Sequence, residues 1–84
     1  MEPRHEIVRK KFNNASIADK CTIVDSFGKW LMSYRSMNYH IQVYHVSHKL
    51  IEVHYNDVTS AIEIVYMPSY KEMDYMIQEI YFDL

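Results

Sequence analysis

Glycine occurs once, proline twice and cysteine once in the 84 residues of this chain. Each scarcity excludes something. With so little glycine and proline there is no flexible linker, low-complexity tract or collagen-like repeat, and an apolar content of 49% predicts a chain folded nearly end to end. A lone thiol, Cys21, has no partner for an internal disulfide, which points to a reducing, cytoplasmic setting. No apolar run approaches the roughly 20 residues of a membrane span. The charged start Met1-Glu2-Pro3-Arg4-His5-Glu6 does not lead into the apolar core of a signal peptide. Basic excess is missing too: nine Lys and Arg against eleven Asp and Glu leave a net charge of −2, with no footprint for a polyphosphate backbone. Neither a membrane nor a nucleic acid is therefore expected as a partner. One domain spanning residues 1–84 is expected, since so short a chain buries only about 60–65% of its unfolded surface.

What the chain does contain is alternation. Tyr39-His40-Ile41-Gln42-Val43-Tyr44-His45-Val46, Leu50-Ile51-Glu52-Val53-His54-Tyr55 and Ala61-Ile62-Glu63-Ile64-Val65-Tyr66 each switch between apolar and polar residues. This is the period of half-buried strands, and the three predict an antiparallel meander with one apolar face. Placing Ile41, Val43 and His45 inward with Ile51, Val53 and Tyr55 requires a three-residue loop, Ser47-His48-Lys49. Between the second and third strands, a register setting His54 opposite Glu63 is preferred to one setting Glu52 against Glu63, because opposed like charges are destabilising.

Around the sheet the spacing becomes helical. Glu6 to Phe12 predicts a short helix, and Ser16 with Asp19 forms a capping pattern that starts a longer one at Ile17. Wound at about 100° per residue, Ile17, Lys20, Cys21, Ile23, Val24, Phe27, Gly28, Trp30, Leu31 and Tyr34 share one half of its circumference. That helix should run to Ser36-Met37-Asn38, with Gly28 admitting the backbone of another element. Its apolar arc is wider than one sheet face needs. After Pro68, Ser69-Tyr70-Lys71-Glu72 is a full capping box, so a last helix should begin at Tyr70 and use Met73, Met76, Ile77, Ile80, Tyr81 and Leu84. Residues 79–84 also alternate and fit a strand. The expected fold class is α+β: a two-layer sandwich, a three-stranded antiparallel meander with helices packed on one face, in the order α-α-β-β-β-α.

Chemistry-bearing residues are few. His40, His54, Glu52 and Glu63 could share the outer sheet face, which frames one hypothesis, a metal or small-molecule module. No helix-borne His pair or Cys/His spacing supports it, however, and solvated surface groups account for the same residues. Cys21 lies on the apolar arc, where a thiol is packing material, and no nucleophile has an adjacent base. Catalysis is not expected, nor is a cofactor. The helix, three strands, helix order is shared with double-stranded RNA-binding domains and with small toxins that cut messenger RNA. The basic residues of both are missing: Ser69-Tyr70-Lys71-Glu72-Met73-Asp74 sets one lysine against two acids, and the strands offer no arginine. Eight tyrosines and six methionines instead supply amphipathic and adaptable surface. Together with the wide arc they predict a protein partner or a homodimer, contacted through Ile23, Phe27, Trp30 and Tyr34.

Overall fold

The computed structural model describes residues 3–77, so the expectations for Ile80, Tyr81, Leu84 and the alternating end lie outside the described residues. The first helix, α1, runs over Pro3–Asn14, with proline at a position whose missing N–H a helix start tolerates. Ser16 then opens α2 (Ile17–Phe27), its hydroxyl accepting from the Asp19 amide at 3.1 Å, as the capping pattern predicts.

That second helix stops at Phe27, well short of Ser36. Gly28 turns to extended backbone (φ −80°, ψ 144°) while its N–H still donates to the Val24 carbonyl at 2.8 Å. A Cβ there would lie 2.5 Å from that same oxygen, so the glycine answers to its own helix's last turn and not to another element. Lys29–Ser36 then forms a strand, β1. The helical spacing of Trp30, Leu31 and Tyr34 is equally the alternation of Trp30, Met32 and Tyr34. The strand prevails because the tight turn at Met37-Asn38 folds it onto β2 (Tyr39–Val46), giving its backbone a ladder. With β3 (Lys49–Asn56) and β4 (Ile62–Tyr66) the sheet has four antiparallel strands in the order β1-β2-β3-β4, not three.

The register also differs from expectation. Val46 pairs with Lys49, so the β2–β3 turn has two residues, Ser47 and His48, both at positive φ (48° and 67°) as a type I′ turn requires. Ile41 and Val43 therefore face one side of the sheet and Ile51 and Val53 the other. Between β3 and β4, Glu52 stands opposite Tyr66 and His54 opposite Ile64, with Glu63 in an irregularity, so neither anticipated pairing occurs.

Both faces carry a core. On one, Phe12 of α1 and Val24 of α2 pack with Ile51, Val53, Val65 and Met67. On the other, Ile41 and Val43 are buried among Met32, Tyr34, Tyr39 and Leu50. The helices also close the β4 margin: buried Lys20 donates to the Val65 carbonyl at 3.0 Å, and the Asn13 amide bonds Met67 twice, accepting at 2.8 Å and donating at 3.1 Å. The last helix, α3 (Tyr70–Ile77), starts where expected, with Ser69 and Glu72 exchanging the reciprocal bonds of a capping box. No described helix is long and apolar enough to cross a membrane.

Candidate interaction surface

Because β1 follows α2 without a loop, the last residue of the helix and the first residues of the strand meet at one corner. Phe27, Trp30 and Leu31 are 70%, 58% and 48% exposed there. Leu31 falls where the β1–β2 register shifts between Trp30 and Met32, a bulge that spares it a place in either core. Trp30 is braced across the sheet: its indole N–H donates to Gln42 Oε1 at 2.6 Å, and the Gln42 amide donates to His40 Nε2 at 3.1 Å.

These side chains stand on the helix-bearing face, beside a cleft of about 580 Å³ whose walls include Arg35, His40, Gln42, Tyr44, Tyr55 and Asp57. Arg35 and Asp57 pair at 2.6 Å across its rim. Burial, and after it the neighbouring Tyr44, raises the Tyr55 hydroxyl above its usual range. An arginine and two tyrosines in the walls of this opening, with an indole bonded to Gln42 beside it, are residue types that dominate protein contacts. The outer margin of β1 runs along this surface for eight residues, most of them exposed.

The opposite face holds a polar frame around Ile41 and Val43. His54 Nε2 lies 2.8 Å from Glu52 Oε1, and the Tyr34 hydroxyl donates to Glu52 Oε2 at 3.4 Å. The Tyr39 hydroxyl and Asn56 amide donate to the two oxygens of Glu63 at 2.9 and 3.0 Å, and the Tyr39 ring meets His54 edge-on. The hydrogen bond to Glu63 and that carboxylate's charge raise the Tyr39 hydroxyl above its ordinary value.

Of the anticipated ligand face, Glu52, His54 and Glu63 thus come into one neighbourhood, already bonded to tyrosines and an asparagine, while His40 stands on the other side of the sheet. No group of three His, Cys, Asp or Glu able to hold a metal occurs among the described residues. Of the anticipated contact residues, Phe27 and Trp30 share the corner. Ile23 instead packs against the helix-side core, and Tyr34 faces away beside Ile41. Arg35 falls outside the apolar arc that a helix at 28–36 implies, whereas Leu31 lies on that arc but is not among the anticipated contact residues. In the strand, the bulge at Leu31 sets Trp30 on the same face as Ser33 and Arg35.

No family model, no curated protein and no solved structure matches this chain.

Proposed function

We propose that this chain is a non-catalytic protein-binding domain, working in the cytoplasm and making contact through the α2–β1 corner and the outer margin of β1, with a second copy of itself as partner. The observation that carries it is the unequal treatment of the two sheet margins. At β4 the carbonyl of Val65 and both backbone groups of Met67 are taken by Lys20 and Asn13, which blocks strand addition there. Along β1 lie exposed side chains beside a Phe27, Trp30 and Leu31 patch. An exposed margin flanked by aromatic anchors suits β-augmentation, in which backbone bonds give affinity and flanking side chains give selectivity. The lone Cys21, half-buried against the helix-side core, is consistent with a reducing compartment.

The test is sedimentation across a wide concentration range with Trp30 emission followed in parallel. A dimer whose dissociation shifts Trp30 emission to the red, and which Leu31→Lys abolishes while matching the unmodified chain's melting temperature at concentrations where that chain is monomeric, is the expected result. A strict monomer at millimolar concentration, with Trp30 emission unchanged throughout, overturns the reading.

A further inference from the structure

The far side of the helices holds a different kind of opening. Arg4, Val8 and Lys11 follow one another along α1 at spacings of four and three, and so share one helix face, with Ala15 just past the helix end. Between that face, α2 and the end of the β2–β3 hairpin lies a cleft of about 470 Å³, walled by Val8, Phe12, Ile23, Val46, Ile51 and Met67. This falls within the roughly 300–1,000 Å³ of small-molecule sites, which are mostly apolar with a few placed polar groups. Charge enters here as the ammonium groups of Lys11 and Lys49. Neither has a carboxylate partner among the described residues.

Lys49 is also a wall of a second cavity, of about 240 Å³, completed by Arg4, His5 and Tyr70. Among the described residues no carboxylate lines either space. His5 is 2% exposed, and both of its ring nitrogens are buried without a hydrogen-bond partner. Its ring lies flat on Tyr70, with centroids 3.9 Å apart and planes 19° from parallel, so the imidazole is held by packing and stacking without a hydrogen bond. A buried polar group left unpaired is rare in folded proteins and is commonly explained by something that bonds it in another state.

We infer that the two cavities form one binding site for a free anionic amphiphile of the fatty-acid class. The acyl chain occupies the cleft under α1, the carboxylate lies against Lys49 within reach of Arg4 and Lys11, and His5 gains the partner it lacks. The apolar walls supply affinity and the unpaired cations supply the preference for an acid. The site shares no residue with the β1 corner, so it stands or falls separately from the contact surface proposed above.

Calorimetric titration of the full chain with octanoate, decanoate and dodecanoate, each kept monomeric, tests this, with decanol as the neutral comparison. Each added methylene should tighten Kd about fourfold. Decanoate should bind about tenfold more tightly than decanol, the worth of one charge-assisted contact, and Lys49→Gln should remove that advantage while leaving decanol binding unchanged. In NMR spectra the His5 and Tyr70 ring signals should move on binding, and the Trp30 indole signal should not. Equal affinity for acid and alcohol, no dependence on chain length, or shifts confined to Trp30 would overturn the assignment. So would binding to phosphatidylglycerol vesicles without binding to monomeric dodecanoate, which would make the same surface a bilayer contact. The acid and alcohol comparison on the unmodified chain stands even if Lys49→Gln fails to fold.

Discussion

Replacing Asn13 with alanine should destabilise the fold by about 2–4 kcal/mol, more than its place at the end of a surface helix suggests. The Asn13 carboxamide behaves as a short length of strand, accepting from the Met67 N–H at 2.8 Å and donating to the Met67 carbonyl at 3.1 Å across 54 positions of sequence. Each such bond is worth about 0.5–1.5 kcal/mol net, but an orphaned buried partner loses about 1–3 kcal/mol. Met67 is only 3% exposed, so water does not readily replace the amide. Two orphaned groups, less what water entering the vacated space recovers, give the stated range. The total stability of a chain this long is on the order of 4–13 kcal/mol, so the variant forfeits a large part of it. Urea unfolding followed by far-UV circular dichroism measures the effect: with a slope on the order of 1 kcal/mol per molar, the midpoint should fall by about 2 M or more. Asn13→Asp keeps the acceptor for the Met67 amide and sets a second oxygen against the Met67 carbonyl. It should be at least as damaging at neutral pH and partly relieved once acid restores a proton to donate. A loss below about 0.5 kcal/mol in Asn13→Ala, with an unchanged slope, would refute the accounting.

Two other sites give sharp expectations. Ser47 and His48 hold positive φ without being glycine, so His48→Gly should raise stability by about 0.5–1 kcal/mol, a rise of about 4 °C in melting temperature for a domain of this size; a variant that melts lower would contradict the type I′ assignment. At Tyr66, burial first and the 2.6 Å bond to Glu72 second push the hydroxyl up to about 12, from an ordinary 10.0. The folded chain keeps this proton after the unfolded chain has lost its own, so the stability it lends is complete below pH 10.0 and fades as pH climbs toward 12. The Tyr66 bond, against some burial, holds Glu72 below its ordinary 4.5, so its contribution is present above that value and is lost as pH falls through the lowered one. Absorbance at 295 nm should show a late tyrosinate step that Tyr66→Phe removes, with the Glu72 carboxyl returning toward 4.5 in the variant; a Tyr66 that ionises alongside exposed tyrosines would count against the hydrogen bond.

The legible parts of this fold were the local ones. Ser16 with Asp19, and Ser69 with Glu72, mark helix starts through bonds that span three residues, so four letters suffice to see them. The stretch from Lys29 to Ser36 was misread because Trp30, Leu31 and Tyr34 satisfy a helical arc, whereas the strand depends on a turn at Met37, whose φ of 56° a non-glycine residue seldom adopts. The same blindness shifted the β2–β3 register. Ser47 and His48 are poor I′ candidates by composition, and the longer loop followed from assuming that one face alone is buried. At the proposed contact surface, Phe27 and Trp30 were picked for lying on a wide helical arc and are exposed for another reason, the corner between a helix and a strand. Lys20, counted within an apolar arc, is a buried donor whose acceptor lies 45 positions away, which no local pattern reveals.

The change of face between Val43 and Ile51 has a consequence for how the molecule breathes. Apolar side chains of β2 shield the ladder it makes with β3 from one side, and those of β3 shield it from the other. Solvent therefore reaches this central ladder only after both layers have parted, and the outer strand β1 holds one of them in place, since its Met32 and Tyr34 cover Ile41 and Val43. The ladder between β2 and β3 is accordingly the costliest part of the sheet to open. Thus a partner that meets β1 also steadies one of the two layers that keep water from the centre of the sheet.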